Sequence, residues 1–218
     1  MDKKYMIIIG IIVAVIAIVA FAFVSGMFNQ TQTTKFDTEF MSGAFVGNVS
    51  KNSSSENSTV LFVDNNNKIS YNLSTIDNSS ALMVIYKYQG VRGPDYRTYN
   101  GNNWSIYFAQ AMPVIQNQTN GTNQTSNQTL GIVICECQKE SQGYVVYVVF
   151  EDSSKVNYTL NTFGDSYIKF VEPLLKSISL KESHDVPAIH EKFGLSQDAF
   201  YNQIKMMQQV IKGNYSAK

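Results

Sequence analysis

The sequence predicts an α+β domain: an antiparallel β-sheet packed by helices, with an N-terminal transmembrane helix and a C-terminal helical hairpin. Three observations predict it. An apolar run near the N-terminus has the length of a membrane span. Short β-branched and aromatic runs separated by polar turns fill the middle of the chain. Beyond residue 165, apolar residues recur at helical spacing.

Residues 6–24 read MIIIGIIVAVIAIVAFAFV, interrupted only by Gly10. These 19 residues approach the ~20 that cross a hydrocarbon core as a helix. Lys3 and Lys4 stand just before the run, and the next basic residue is Lys35. The positive-inside rule therefore makes residues 1–5 a cytoplasmic tail and turns the rest outward. A cleaved signal peptide is the competing reading. Its apolar core usually runs ~7–15 residues and ends at an A-x-A site, which is absent here. The reading is a single-pass signal-anchor in the plasma membrane, with the lipid bilayer as partner of residues 6–24. Residues 25–37, polar and small, read as a stalk.

Residues 38–180 carry the extracytoplasmic domain. Thr59–Val63 and Ile69–Leu73 flank an Asp64-Asn65-Asn66-Asn67-Lys68 turn and predict a hairpin. Ala81–Tyr88 (ALMVIYKY) reads as a strand. Trp104, Ile106 and Phe108 alternate onto one face of another. Leu130–Cys137, Tyr144–Phe150 and Val156–Leu160 are joined too closely for parallel crossovers and predict a three-stranded antiparallel meander. Residues 116–129 (QNQTNGTNQTSNQT) contain no apolar and no charged side chain, and predict a mobile loop. From Asp165 to Leu180, Tyr167, Val171, Leu174 and Ile178 share one helical face; Pro173 inside it marks a kink or a second helix start.

Residues 181–218 form the C-terminal helical segment. Asp185 can cap a short helix with Pro187 in its first turn and Gly194 at its end. Ser196 can cap a second helix running to Lys212, with Phe200, Ile204, Met207 and Ile211 as its apolar stripe and Gly213 as its stop. That stripe reads as core packing.

Charge is sparse: 16% of 218 residues, 17 Lys+Arg against 17 Asp+Glu. Nucleic-acid sites need clustered positive charge, so no nucleic-acid partner is expected. The solvated surface is instead built from 20 Asn and 35 Ser and Thr. The N-x-S/T acceptor motif occurs at Asn29, Asn48, Asn52, Asn57, Asn72, Asn78, Asn103, Asn117, Asn120, Asn123, Asn127, Asn157 and Asn214, or 13 of the 20 asparagines. Chance at this composition gives about 3. Biased codon usage would raise the number of asparagines but not this spacing. Glycosylation requires acceptors outside the membrane, where the anchor's flanking charges put them.

Few residues suggest chemistry. Arg92, Asp95, Tyr96, Arg97, Tyr99 and Trp104 gather arginine forks and aromatic faces that could hold a polar ligand; a turn with Arg97 paired to Asp95 and Trp104 in the core accounts for the same residues. Cys135 and Cys137 fall on one face of their strand and read as a structural thiol pair. His184 and His190, six apart, do not share a helical face, so no metal site or cofactor is expected and no catalytic motif is found. Paired carboxylates leave no local signature, so Asp95, Glu136, Glu151, Asp152 and Glu172 stand as candidates for a hydrolase.

Three segments carry resemblances. Gly143–Leu180 resembles the closing strands and helix of the PsbP-like fold, with Phe170, Leu174, Ser177 and Ile178 matching its last helix and Pro173 departing from it. That resemblance implies an antiparallel sheet packed by helices. The single anchor followed by FDTEFMSGAFVGNVS (Phe36–Ser50) is similar to uncharacterised membrane-anchored surface proteins of methanogenic archaea, which implies a location and no activity. Val186–Met206 resembles a helix-turn-helix reader around Gly194, although His190 and Gln203 depart from that pattern. The expected function is a non-enzymatic binding or accessory module of the cell envelope, with a cell-wall or surface-protein partner. The alternatives are a cell-wall glycan or peptide hydrolase and, more remotely, a membrane-tethered regulator.

Overall fold

The computed structural model describes residues 32–52, 58–111, 114–116, 123–125, 130–151 and 164–216. The anchor 6–24 lies outside them. Among the described residues no helix is long and apolar enough to cross a membrane. Residues 33–218 form one unit.

Its centre is a seven-stranded sheet in the order β3-β4-β5-β11-β10-β7-β6. The strands are β3 (Ser50–Lys51), β4 (Thr59–Asp64), β5 (Ile69–Ile76), β6 (Arg92–Tyr99), β7 (Asn102–Ala111), β10 (Leu130–Lys139) and β11 (Gln142–Phe150). Every neighbouring pair is antiparallel. A three-stranded sheet, β1 (Thr33–Asp37), β2 (Met41–Val46) and β12 (Ser179–Leu180), lies against one face together with a π-helical turn (Tyr167–Val171) that runs into α2 (Glu172–Ser177). The other face carries α1 (Ser80–Tyr88), α3 (Ile189–Lys192) and α4 (Gln197–Ser216). The α+β class with antiparallel sheets packed by helices thus stands.

The first core joins Phe45, Tyr71, Trp104, Ile106, Val146, Val148 and Phe150 from the strands and Phe40 from the bend before β2 to Phe170 and Leu174 from the helical turns and Ile178 just after α2. The helical face read from the sequence is therefore buried as a set, and Ser177 fastens α2 to β2 through Ala44 N–H, which donates to its Oγ at 2.9 Å. The second core joins Ile76, Tyr107, Ile134 and Val145 to Ala81, Leu82, Ile85 and Tyr86 of α1 and to Ile189, Phe200 and Ile204. Of the α4 stripe, Phe200 and Ile204 are core and Met207 packs against it half-buried, while Ile211 lies beyond that core.

Several expectations are corrected. Ala81–Tyr88 is helix, not strand. Its buried residues Ala81, Leu82, Ile85 and Tyr86 follow helical spacing, and the Asn78 carboxamide starts the helix by accepting from Ser80 N–H at 3.1 Å. The meander stops at two strands, because the outer edge of β11 is taken by β5 (Gly143↔Ile76 to Phe150↔Ile69); residues 156–160 lie outside the described residues. Thr33–Asp37 belongs to β1 rather than to the stalk, because Phe36 is buried and Thr34 Oγ1 donates to the Gly47 carbonyl at 2.7 Å. Of the 116–129 loop, residue 116 and residues 123–125 lie in a two-stranded ladder between β8 (Val114–Gln116) and β9 (Asn123–Thr125), and the rest is not described.

The helical run continues without a break through Pro173: the π-helical turn Tyr167–Val171 passes directly into α2. The proline has no N–H for the preceding turn and stands in the first turn of α2. That helix ends at Ser177, short of Leu180, which is in β12. Pro187 stays outside α3: its carbonyl accepts from Asp77 N–H at 3.1 Å. The Asp77 carboxylate caps α3 from a distance, accepting from Ile189 N–H at 2.7 Å, where Asp185 was expected. Ser196 does cap α4, through Ala199 N–H at 3.3 Å. Gly213 does not stop α4, which runs to Ser216; one glycine costs only about 1 kcal/mol in a helix.

The β4–β5 hairpin is closed by a buried acid. Asp64 is 0% exposed, and its oxygens accept from Asn66 N–H and Asn67 N–H at 3.0 Å and from Asn67 Nδ2 at 2.7 Å. Gly47, at φ +109°, passes so close that a Cβ there would lie 2.5 Å from Asp64 Oδ2. Asp64→Ala leaves the turn amides without acceptors and should cost about 3 kcal/mol, read as a lower urea midpoint at unchanged slope.

Candidate functional site

The second face of the sheet supplies the site. Side chains that oppose one another across strands share a face. One row there runs Tyr96, Ser105, Glu136, Val145, Ser74, Thr59; the next runs Tyr107, Ile134, Tyr147, Asn72, Leu61. Helices α1 and α3 cover these rows incompletely. A cleft of about 490 Å³ remains over β4, β5 and β11. Leu61, Ile76 and Val145 line it from the sheet, Leu82 from α1, and Ile189 and Phe193 from α3 and its following turn. Its polar lining includes Asn72, Ser74, Tyr147 and Lys192. The Lys192 ammonium donates to the hydroxyls of Ser58 and Thr59 at 3.2 and 3.1 Å.

Next to the cleft, under α1, lies Glu136, 2% exposed on the interior strand β10. Neither carboxyl oxygen has a hydrogen-bond partner of ordinary geometry. Burial raises its pKa from an ordinary 4.5 to about 8, the nearby Tyr86 hydroxyl acting weakly against that rise. Three phenols surround it. The Tyr86 hydroxyl lies 2.5 Å from that of Tyr147, and the Tyr86 and Tyr107 rings meet at a tilt of 59° with centroids 5.0 Å apart. Burial pushes all three phenols upward, so they stay protonated at neutral pH. The cleft thus ends on Tyr147, whose hydroxyl contacts that of Tyr86 close to a buried acid.

None of the described ligand candidates lines the cleft, although five of the six share one face of the sheet. Arg92, Asp95, Arg97 and Tyr99 lie opposite Phe108, Ile106, Trp104 and Asn102 and share the first face, whereas Tyr96 stands on the second and is 67% exposed. Trp104 is fully buried. Tyr99 approaches the Tyr167 hydroxyl at 3.4 Å, Arg92 lies 5.5 Å over the Phe108 ring, and Arg97 donates to the Tyr96 carbonyl at 3.3 Å. The aromatic faces are largely spent on packing. Among the carboxylates, Glu136 is separated from Asp95 and Glu172 by the thickness of the sheet, and Glu172 is engaged by Lys176 at 2.7 Å. Glu151 ends β11, its N–H donating to the Lys68 carbonyl, and Asp152 lies outside the described residues.

Cys135 and Cys137 are free, buried and on the first face, and burial raises both thiols, so neither is poised as a nucleophile. His190 Nδ1 contacts the Leu195 carbonyl at 2.8 Å, tying α3 to α4. Among the described residues no three His, Cys, Asp or Glu side chains are grouped to hold a metal. Of the glycosylation candidates, Asn48 and Asn103 are exposed. Asn52 is half-buried. Asn72 faces the cleft with its Oδ1 buried, and Asn78 is spent at the start of α1, its Nδ2 reaching the Tyr201 hydroxyl at 3.4 Å. The side chains of Asn29, Asn57, Asn117, Asn120, Asn123, Asn127, Asn157 and Asn214 are not described.

No family model matches this chain, and no curated protein matches it.

Because the folded chain holds the Glu136 proton to higher pH than the unfolded chain, stability is intact in acid and falls as pH rises through the raised pKa. Glu136→Gln removes that penalty. Its stabilisation should be small near pH 5, grow to a few kcal/mol by pH 8 and level off above, as read from melting temperatures across that range.

Proposed function

We propose that the chain is a membrane-anchored, extracytoplasmic, N-glycosylated surface protein that acts as a non-enzymatic binding module of the cell envelope, with the cleft beside α3 as its ligand site. The cleft carries this reading. An apolar floor with a few placed polar groups, in a volume of about 490 Å³, fits the ordinary form of a small-ligand site. The 19-residue apolar run with its preceding lysines supports the anchor, and the 13 acceptor motifs support the outward side. Glycan on those asparagines would keep a domain with 16% charge soluble.

Placement and binding are tested separately. On intact cells, external protease should remove the domain, and deglycosylation should lower its mass; protection without glycan mass would sink the outward reading. Peptide mass spectrometry should find glycan on Asn48 and Asn103, and none on Asn72 or Asn78. For the cleft, the full chain in lipid nanodiscs is titrated with cyclohexanol. Methyl signals of Ile76, Leu82 and Ile189 should shift, and Ser74→Trp should abolish those shifts. Shifts confined to other methyl groups would mean that the cleft is not the site.

A further inference from the structure

Resting on the cleft as a ligand site, we infer that Glu136, Tyr86 and Tyr147 form a proton-set hydrogen-bond chain that makes the cleft select ligands presenting a hydrogen-bond acceptor, such as a carbonyl or sugar oxygen. The chain has one inner end and one outer end. Glu136 is buried and neither oxygen is satisfied by a hydrogen bond of ordinary geometry, while the Tyr86 hydroxyl lies close enough to act on its proton affinity. Tyr86 lies between it and Tyr147, and Tyr147 lines the cleft. In the 2.5 Å contact between the two phenols, either oxygen can be the donor. The direction is therefore fixed by Glu136. With its proton present, Glu136 donates to Tyr86, Tyr86 donates to Tyr147, and the Tyr147 hydroxyl is left to donate into the cleft. With the proton gone, the carboxylate accepts from Tyr86, Tyr86 accepts from Tyr147, and Tyr147 offers only lone pairs outward.

Among the described residues, the Tyr107 hydroxyl, buried and without a partner, is the other polar group beside Glu136. The titratable groups facing Glu136 are Tyr86 from α1, Tyr107 from β7 and Tyr147 from β11, with Tyr96 at the β6 end of its row. From α4, Phe200 and Ile204 complete the apolar surround. Burial and the Tyr86 hydroxyl alone move the Glu136 proton affinity, with burial holding it protonated to about pH 8. Donation into the cleft is then the resting state at neutral pH, and it is lost in alkali.

The test uses the full chain in nanodiscs, read at the Ile76, Leu82 and Ile189 methyl groups, with two ring probes of the same size. Cyclohexanone only accepts hydrogen bonds, and cyclohexylammonium only donates them. Cyclohexanone should bind roughly tenfold more tightly at pH 6.5 than at pH 9, the worth of about one hydrogen bond, and cyclohexylammonium should show the opposite trend. Both trends should vanish in Glu136→Gln, and in Tyr147→Phe, which keeps the ring but loses the hydroxyl. Equal affinity at the two pH values, or a pH dependence that survives Glu136→Gln, overturns the proton chain and leaves the cleft standing. If neither probe nor cyclohexanol moves these methyl groups, the cleft itself is overturned as a site.

Discussion

The central sheet is covered on both faces, and most of the molecule follows from that constraint. Strands β10 and β11 must be apolar on alternate residues in both directions, which is why GIVIC and YVVYVV read as continuous runs. Cys135 and Ile134 are neighbours in sequence and belong to different cores. The two layers are closed by long-range polar ties rather than by local ones. Ser177 holds α2 to β2, Asp77 caps α3, and Gln142 bridges Thr75 and Ser183, accepting from Ser183 N–H at 3.0 Å. Each tie satisfies buried groups that water cannot reach.

Legibility in the sequence followed the range of the interaction that decided each element. The β4–β5 hairpin was readable because Asp64 and the asparagines after it settle the turn among themselves. The Ser196 cap was readable for the same reason. α1 was not, because the six consecutive apolar residues Ala81–Tyr86 have no period until a partner selects a face, and that partner is the distant sheet in β10 and β11. Pro187 was misplaced because Asp77, over a hundred residues earlier, competes for its carbonyl. The third meander strand failed because β5 occupies the edge that local connectivity left open.

The site shows the same division. Arg92, Arg97, Tyr99 and Trp104 attract attention in sequence because forks and aromatic rings cluster within 13 residues, yet alternation along β6 and β7 sends the rings into packing. The cleft has no sequence signature, since its lining comes from β4, β5, β11, α1 and α3. One residue did carry a local signal: Glu136 is the only charged residue in LGIVICEC, where every neighbour is apolar. It entered the sequence reading as one of several carboxylates. Only the fold shows that it sits among Tyr86, Tyr107 and Tyr147.

That position is hard to explain by packing alone. A buried carboxyl without partners destabilises the fold at neutral pH, and a neutral amide or an apolar side chain of similar volume would fill the same space at lower cost. Asp64, equally buried, has its oxygens filled by three donors, and Gln142 has both ends bonded. A molecule that satisfies its other buried acid so fully leaves this one open beside a cleft, on the same face of the sheet as the unpartnered Tyr107 hydroxyl and Asn72 Oδ1. Places where sequence and packing disagree are where function is expected to reside. The phenol chain from Glu136 to Tyr147 gives that disagreement a direction: it leads out of the core and into the cleft.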